Sequence, residues 1–116
     1  MNDLKKRKMY SYNITFIVEP NQEERLLNYI RCDLSDRLFP IQSNTEGIVL
    51  QKVVEVGGEK PGNEDALSIA MAVSFPTEED AYHWHDHTLL PALADFQNIF
   101  GNNSLFFITL LEKIPL

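Results

Sequence analysis

What most constrains this chain is the order in which its hydrophobic patterns change period. The series closes on a near-continuous apolar run, Leu105–Leu111, four residues past Gly101. A period of two marks a strand, because successive side chains point to opposite faces, and a period near 3.6 marks an amphipathic helix. On that basis the chain reads strand, helix, strand, strand, helix, strand.

The first strand is expected over residues 9–18. Its even positions Tyr10, Tyr12, Ile14, Phe16 and Val18 are apolar or aromatic, and its odd positions Ser11, Asn13 and Thr15 are small and polar. A helix follows over about 22–38, with Asn21 as N-cap, Glu24 completing a capping box, and Leu27, Ile30, Leu34 and Leu38 as the buried stripe. Phe39-Pro40 ends it, since a proline disfavours helical geometry in the residue before it. The second strand is expected over 47–56, where Ile48, Leu50, Val54 and Val56 alternate with Gln51 and Glu55. The glycine-rich stretch 57–65 reads as a hairpin turn, and its acidic residues Glu59, Glu64 and Asp65 argue against a phosphate cradle.

The third strand, 66–75, puts Leu67, Ile69, Met71, Val73 and Phe75 on one face and Ala66, Ser68, Ala70, Ala72 and Ser74 on the other. Thr77 then caps a helix whose first turn holds Glu78, Glu79 and Asp80, where the helix dipole favours acids. That helix runs to Phe100 and stops at Gly101, with Tyr82, Leu89, Leu93, Phe96 and Phe100 as its stripe. Pro91 inside it predicts a kink or break near His87–Leu90. The last strand, 104–113, has almost no polar alternation, as expected of a strand buried on both faces.

This order is that of the ferredoxin-like βαββαβ sandwich, an α+β fold with a four-stranded antiparallel sheet and two helices on one face. With the third and last strands beside the first, the large residues face the helices. The other face carries Ser11, Asn13, Thr15, Ile17, Ser68, Ala70 and Ala72, with apolar bulk added by the last strand. A closing strand apolar on both sides calls for a cover, and a second copy packed sheet to sheet, as a dimeric α/β barrel, supplies one.

Tyr12-Asn13-Ile14-Thr15-Phe16, Phe100-Gly101 and Phe107-Ile108-Thr109-Leu110-Leu111-Glu112-Lys113 resemble a family of small bacterial proteins known only as a domain of unknown function. The resemblance spans Tyr10–Ile114. It implies a fold similar to the dimeric α/β-barrel ferredoxin-like proteins and carries over no reaction and no catalytic residues. The basic start and the histidine-rich segment below depart from the shared pattern.

At 116 residues, with 44% hydrophobic and 23% charged side chains, we expect a basic tail at 1–8 and one domain at 9–116. Residues 1–8 hold four cations and one anion; since the whole chain is at −7, the rest carries −10. An acidic body repels phosphate backbones, so nucleic acid is not an expected partner. No apolar run approaches the ~18 residues of a membrane span, and the basic start is not followed by the apolar stretch of a secretion signal. A single cysteine, Cys32, cannot form an internal disulfide and fits a cytoplasmic protein.

One cluster suggests chemistry. In His83-Trp84-His85-Asp86-His87, His83 and His87 share a helix face with Asp80, a two-histidine, one-carboxylate arrangement; with no second ligand cluster we expect no resident metal and no other cofactor. The chain lacks convincing carboxylate pairs, nucleophile–base spacings and dinucleotide fingerprints. The expected function is a non-catalytic homodimeric module that binds a small ligand or a protein partner, with Asn13, Thr15, Ser68 and Trp84 as candidate ligand-binding residues. The alternative is a cofactor-free oxidoreductase or monooxygenase of the dimeric α/β-barrel type, in which Asn13 polarises a substrate. As a structural residue, Asn13 would instead satisfy a hydrogen bond in the sheet or across the dimer.

Overall fold

The structure is a computed structural model describing residues 9–40, 45–60, 62 and 66–116. The basic segment 1–8 and part of the 57–65 turn lie outside the described residues. Four strands form one antiparallel sheet: β1 (Tyr10–Val18), β2 (Gly47–Lys52), β3 (Leu67–Phe75) and β4 (Leu105–Glu112), in the order β2-β3-β1-β4. The expected ferredoxin-like arrangement is therefore present, with β1 central and β2 and β4 at the edges.

Alternation does what it should along β1 and β3. Tyr12, Ile14, Phe16 and Val18, with Ile69, Met71, Val73 and Phe75, are buried against the helices. The register pairs Ile14 with Met71 on one side and Ile108 on the other, so the large side chains of three strands form one floor.

The first helical rod, α1 (20–38), starts earlier than expected. Pro20 opens a tight turn, Glu19 occupies the N-cap position, and no side chain caps the end, so the Asn21–Glu24 capping box does not form. The fixed backbone angle of Pro20 already suits a first helical position, which displaces Asn21 into the turn. Midway, Tyr29–Leu34 forms wider turns, in which Ser35 N–H donates to the Ile30 carbonyl and Ser35 Oγ to the Arg31 carbonyl at 2.6 Å. The widening shifts the stripe: Leu26, Tyr29, Ile30, Leu34 and Leu38 are buried, while Leu27 is only half-buried.

The second rod comprises α2 (78–93) and, after a break at Ala94–Asp95, α3 (Phe96–Phe100). Thr77 is the N-cap as read from sequence, its Oγ1 accepting from Asp80 N–H at 3.0 Å. Pro91 has the expected effect. It has no N–H for the His87 carbonyl, and the helix widens over His85–Leu89, where Leu90 N–H donates to the His85 carbonyl. Tyr82 is exposed rather than on the stripe, because Ala81 and Trp84 set the buried phase before the widening. Gly101 terminates α3 at φ +93°, a conformation L side chains rarely adopt.

Two further expectations are corrected. β2 ends at Lys52; beyond Val53, whose N–H donates to the Ser68 carbonyl, Val54 and Val56 are exposed and a separate small turn pairs Val56 with Glu59. And β4, read as buried on both faces, is an edge strand with Phe106, Ile108 and Leu110 half-buried toward the helices and Leu105, Phe107 and Leu111 exposed on the other side.

Candidate functional site

The helix side of the sheet is filled. Phe16 and Phe96 lie with ring centroids 5.5 Å apart, and Phe75 and Trp84 5.1 Å apart. Trp84 is 5% exposed and donates from Nε1 to the Leu38 carbonyl at 2.9 Å. That bond satisfies one of the carbonyls left open at the end of α1 and ties it to α2 across 46 residues. Tyr12 stacks on His85 at 5.1 Å, and His85 Nδ1 lies 2.8 Å from Asp86 Oδ1. Burial, with the neighbouring Tyr82, Asp86 and Glu78, holds the Tyr12 hydroxyl above its ordinary pKa. Burial also raises that of Tyr29, opposed by the hydrogen bond and positive charge of Arg37.

Among the described residues, no helix packs on the opposite face. Its rows follow from the register: Gln51, Ala70, Thr15 and Phe107 form one, and Val49, Ala72, Asn13 and Thr109 the next. Ser11 lies between Ser74 and Leu111, and Ile17 between Ser68 and Leu105. The β4 column stands out of the sheet, with Phe107 56% and Leu111 49% exposed. The β3 column beside it across β1 is all serine and alanine. No outward side chain of the four strands carries a charge. Asn13 Nδ2 donates to Thr15 Oγ1 at 3.2 Å, as residues two apart on one strand face can.

Of the four candidate binding residues, the fold therefore brings Asn13 and Thr15 together on the open face. Ser68 lies on the same face one row further along, opposite Ile17, and also at the rim of a cleft of about 750 Å³. That cleft sits at the end of the sheet, between the start of α1 and the β2–β3 connection, with the Lys52–Glu23 ion pair (2.9 Å) in its wall. Trp84 does not join the others; it lies among core aromatics on the helix side, because the phase set by Ala81 and Trp84 points it inward. His83 and His87 do stand together, ring centroids 4.5 Å apart on exposed helix, and among the described residues no group of three or more histidine, cysteine or acidic side chains could hold a metal ion. Sequence reasoning missed the cleft; the doubled valine at Val53-Val54, which breaks the alternation, was its one visible signal.

The strand order, the helices on one side and the open second face define a ferredoxin-like α+β protein. Residues 9–114 match the family described as a domain of unknown function (DUF4286), and the chain belongs to that family. No curated protein matches it in sequence. Among solved structures it is similar to a dimeric ferredoxin-like protein from an uncultured marine organism, with TM-score 0.64 and 8% identity over 95% of this chain and 98% of that one. It is also similar to a DABB family protein with a ferredoxin-like fold from Mesorhizobium loti, with TM-score 0.55 and 14% identity over 95% and 99%. A third similar structure is a variant of MhuD with two manganese protoporphyrin IX bound per active site, with TM-score 0.54 and 17% identity over 91% and 95%. At these identities the likeness is one of fold.

Proposed function

We propose that the protein is a non-catalytic homodimeric binding module of the cytoplasm, paired through its open sheet face, that takes a small ligand or a protein partner. The observation that carries this reading is the contrast between a filled helix side and an uncharged, partly apolar second face. Solvated antiparallel sheets ordinarily turn polar residues outward; here Leu105, Phe107 and Leu111 stand in water in the isolated chain. One of the similar proteins is described as dimeric, which supports pairing here. The charge of −7 supports partners other than nucleic acid, and among the described residues no helix is long and apolar enough to cross a membrane.

The same contrast favours binding over a cofactor-free oxidoreductase. An enzyme of that kind needs an enclosed pocket with a polar group aimed into it. The space between sheet and helices is taken by Phe16, Phe75, Trp84 and Phe96, and neither Asn13 nor a histidine lines the cleft at the sheet end. Light scattering of the purified chain at micromolar concentration tests the dimer: two chains per particle are expected, and one chain rejects it. Titration with haem and with quinols tests the rest. No spectral shift and no turnover are expected; turnover of a quinol replaces the module by the enzyme.

A further inference from the structure

Resting on the dimer just proposed, we infer that the open face is self-complementary in relief, the β4 ridge of each copy seating in the β3 trough of the other, with the two-fold axis running along β1. Three observations point there. The face is divided by size: Leu105, Phe107 and Leu111 on β4, interrupted by the smaller Thr109, against Ser68, Ala70, Ala72 and Ser74 on β3, with β1 midway between. It is free of charge in a chain of net −7, so a second copy of this acidic protein can approach it without placing like charges in contact. It is also large enough. Three strands of eight or nine residues cover roughly 14 by 28 Å. Two such faces with their side-chain relief bury on the order of 1,000 Å², where specific interfaces begin.

Geometry then selects the axis. Packed sheets sit about 10 Å apart. A large side chain opposite a small one fills that gap, two large ones overfill it, and two small ones leave a void. A two-fold axis across the strands would stack each strand on its own copy, Phe107 on the partner's Phe107 and Ala70 on the partner's Ala70. An axis along β1 instead carries β4 over the partner's β3 in the same row. Phe107 then meets the partner's Ala70, Leu111 the partner's Ser74, and Leu105 the partner's Ser68. This satisfies the reciprocity a two-fold interface requires. β1 meets its own copy, which puts the Asn13–Thr15 pair at the axis. There the amide groups Asn13 does not use on Thr15 face the partner's Asn13, and a polar contact on the axis fixes the register.

The test swaps ridge and trough. Dissociation constants are measured by sedimentation for the full chain, with circular dichroism confirming that each variant is folded. Phe107→Ala leaves a void and Ala70→Phe forces ring against ring, so each alone weakens the dimer by on the order of 100-fold. The double variant Ala70→Phe/Phe107→Ala exchanges large for small and returns to within about tenfold of the parent. Mixing the two single variants gives a one-to-one heterodimer, since each supplies what the other lacks. A dimeric parent whose double variant is as weak as the two losses combined, or single variants that do not pair with each other, overturns the ridge-in-trough arrangement and leaves the dimer standing. A monomeric parent removes both.

Discussion

The two faces of this sheet are made by the same strands with the same period of two, yet they do opposite things. Toward the helices, Ile14, Phe16, Val73 and Phe75 are fully buried, and Phe16 and Phe75 meet the rings of Phe96 and Trp84 from the second rod. Away from them, Thr15, Ala70 and Ala72 are half-buried, and Phe107 projects into solvent. Removing apolar surface from water stabilises a fold only where something packs on it. The helix side therefore holds the chain's own stability, and the open side holds apolar surface that a partner can still bury.

Substitutions sharpen this contrast. The largest expected effect is at the floor of the core: Phe16→Ala destabilises the fold by about 3–5 kcal/mol in a urea titration. A loss below about 1 kcal/mol would mean that the helix side is not the principal core. Trp84→Phe keeps the bulk but strands the buried Leu38 carbonyl, at a cost of about 1–3 kcal/mol, read by the same titration. An unchanged midpoint would mean that Trp84 does not brace α1 against α2. Thr77→Ala removes the cap from α2 and costs about 1 kcal/mol in a thermal melt.

Alkali gives a smaller, graded effect confined to the helix side. Tyr12 and Tyr29 have folded pKa values above the ordinary 10.0, chiefly through burial. The unfolded chain therefore loses these protons first. Their contribution is intact below about pH 10 and is lost as pH rises through the folded values. Urea titrations on either side of that range check the sign, and stability that climbs above pH 10 contradicts it. The smallest effect is on the open face: in dilute, unpaired protein Phe107→Ala moves the unfolding midpoint by no more than about 0.5 kcal/mol equivalent. A loss comparable to that of Phe16→Ala would erase the distinction between the faces.

Much of this was legible in the chain. Alternation at Tyr10–Val18 and Leu67–Phe75 gave two strands and their inward faces, because backbone geometry alone dictates a period of two. Thr77, Pro91 and Gly101 punctuated the second rod for local reasons of hydrogen bonding and backbone freedom. The pairing of Asn13 with Thr15 on one face was likewise a matter of spacing. The differences arise where distant contacts or wider turns override a local pattern. Leu27 and Tyr82 were placed on buried stripes by a uniform helical period, which the wider turns at Tyr29–Leu34 and His85–Leu89 and the inward phase of Ala81 and Trp84 do not respect. Trp84 was grouped with Asn13 by residue type, but its environment is decided by a carbonyl 46 positions away.

By itself, then, the sequence determined which segments become strands and helices, which side of each strand is heavy, and that the chain is acidic, since these follow from local geometry and composition. Tertiary structure alone decided that Trp84 closes the end of α1 and that Leu105, Phe107 and Leu111 stand exposed on an edge strand. Those are relations between residues far apart in the chain. Only strand pairing and packing bring them within reach of one another, and no local period encodes which strand will be the neighbour.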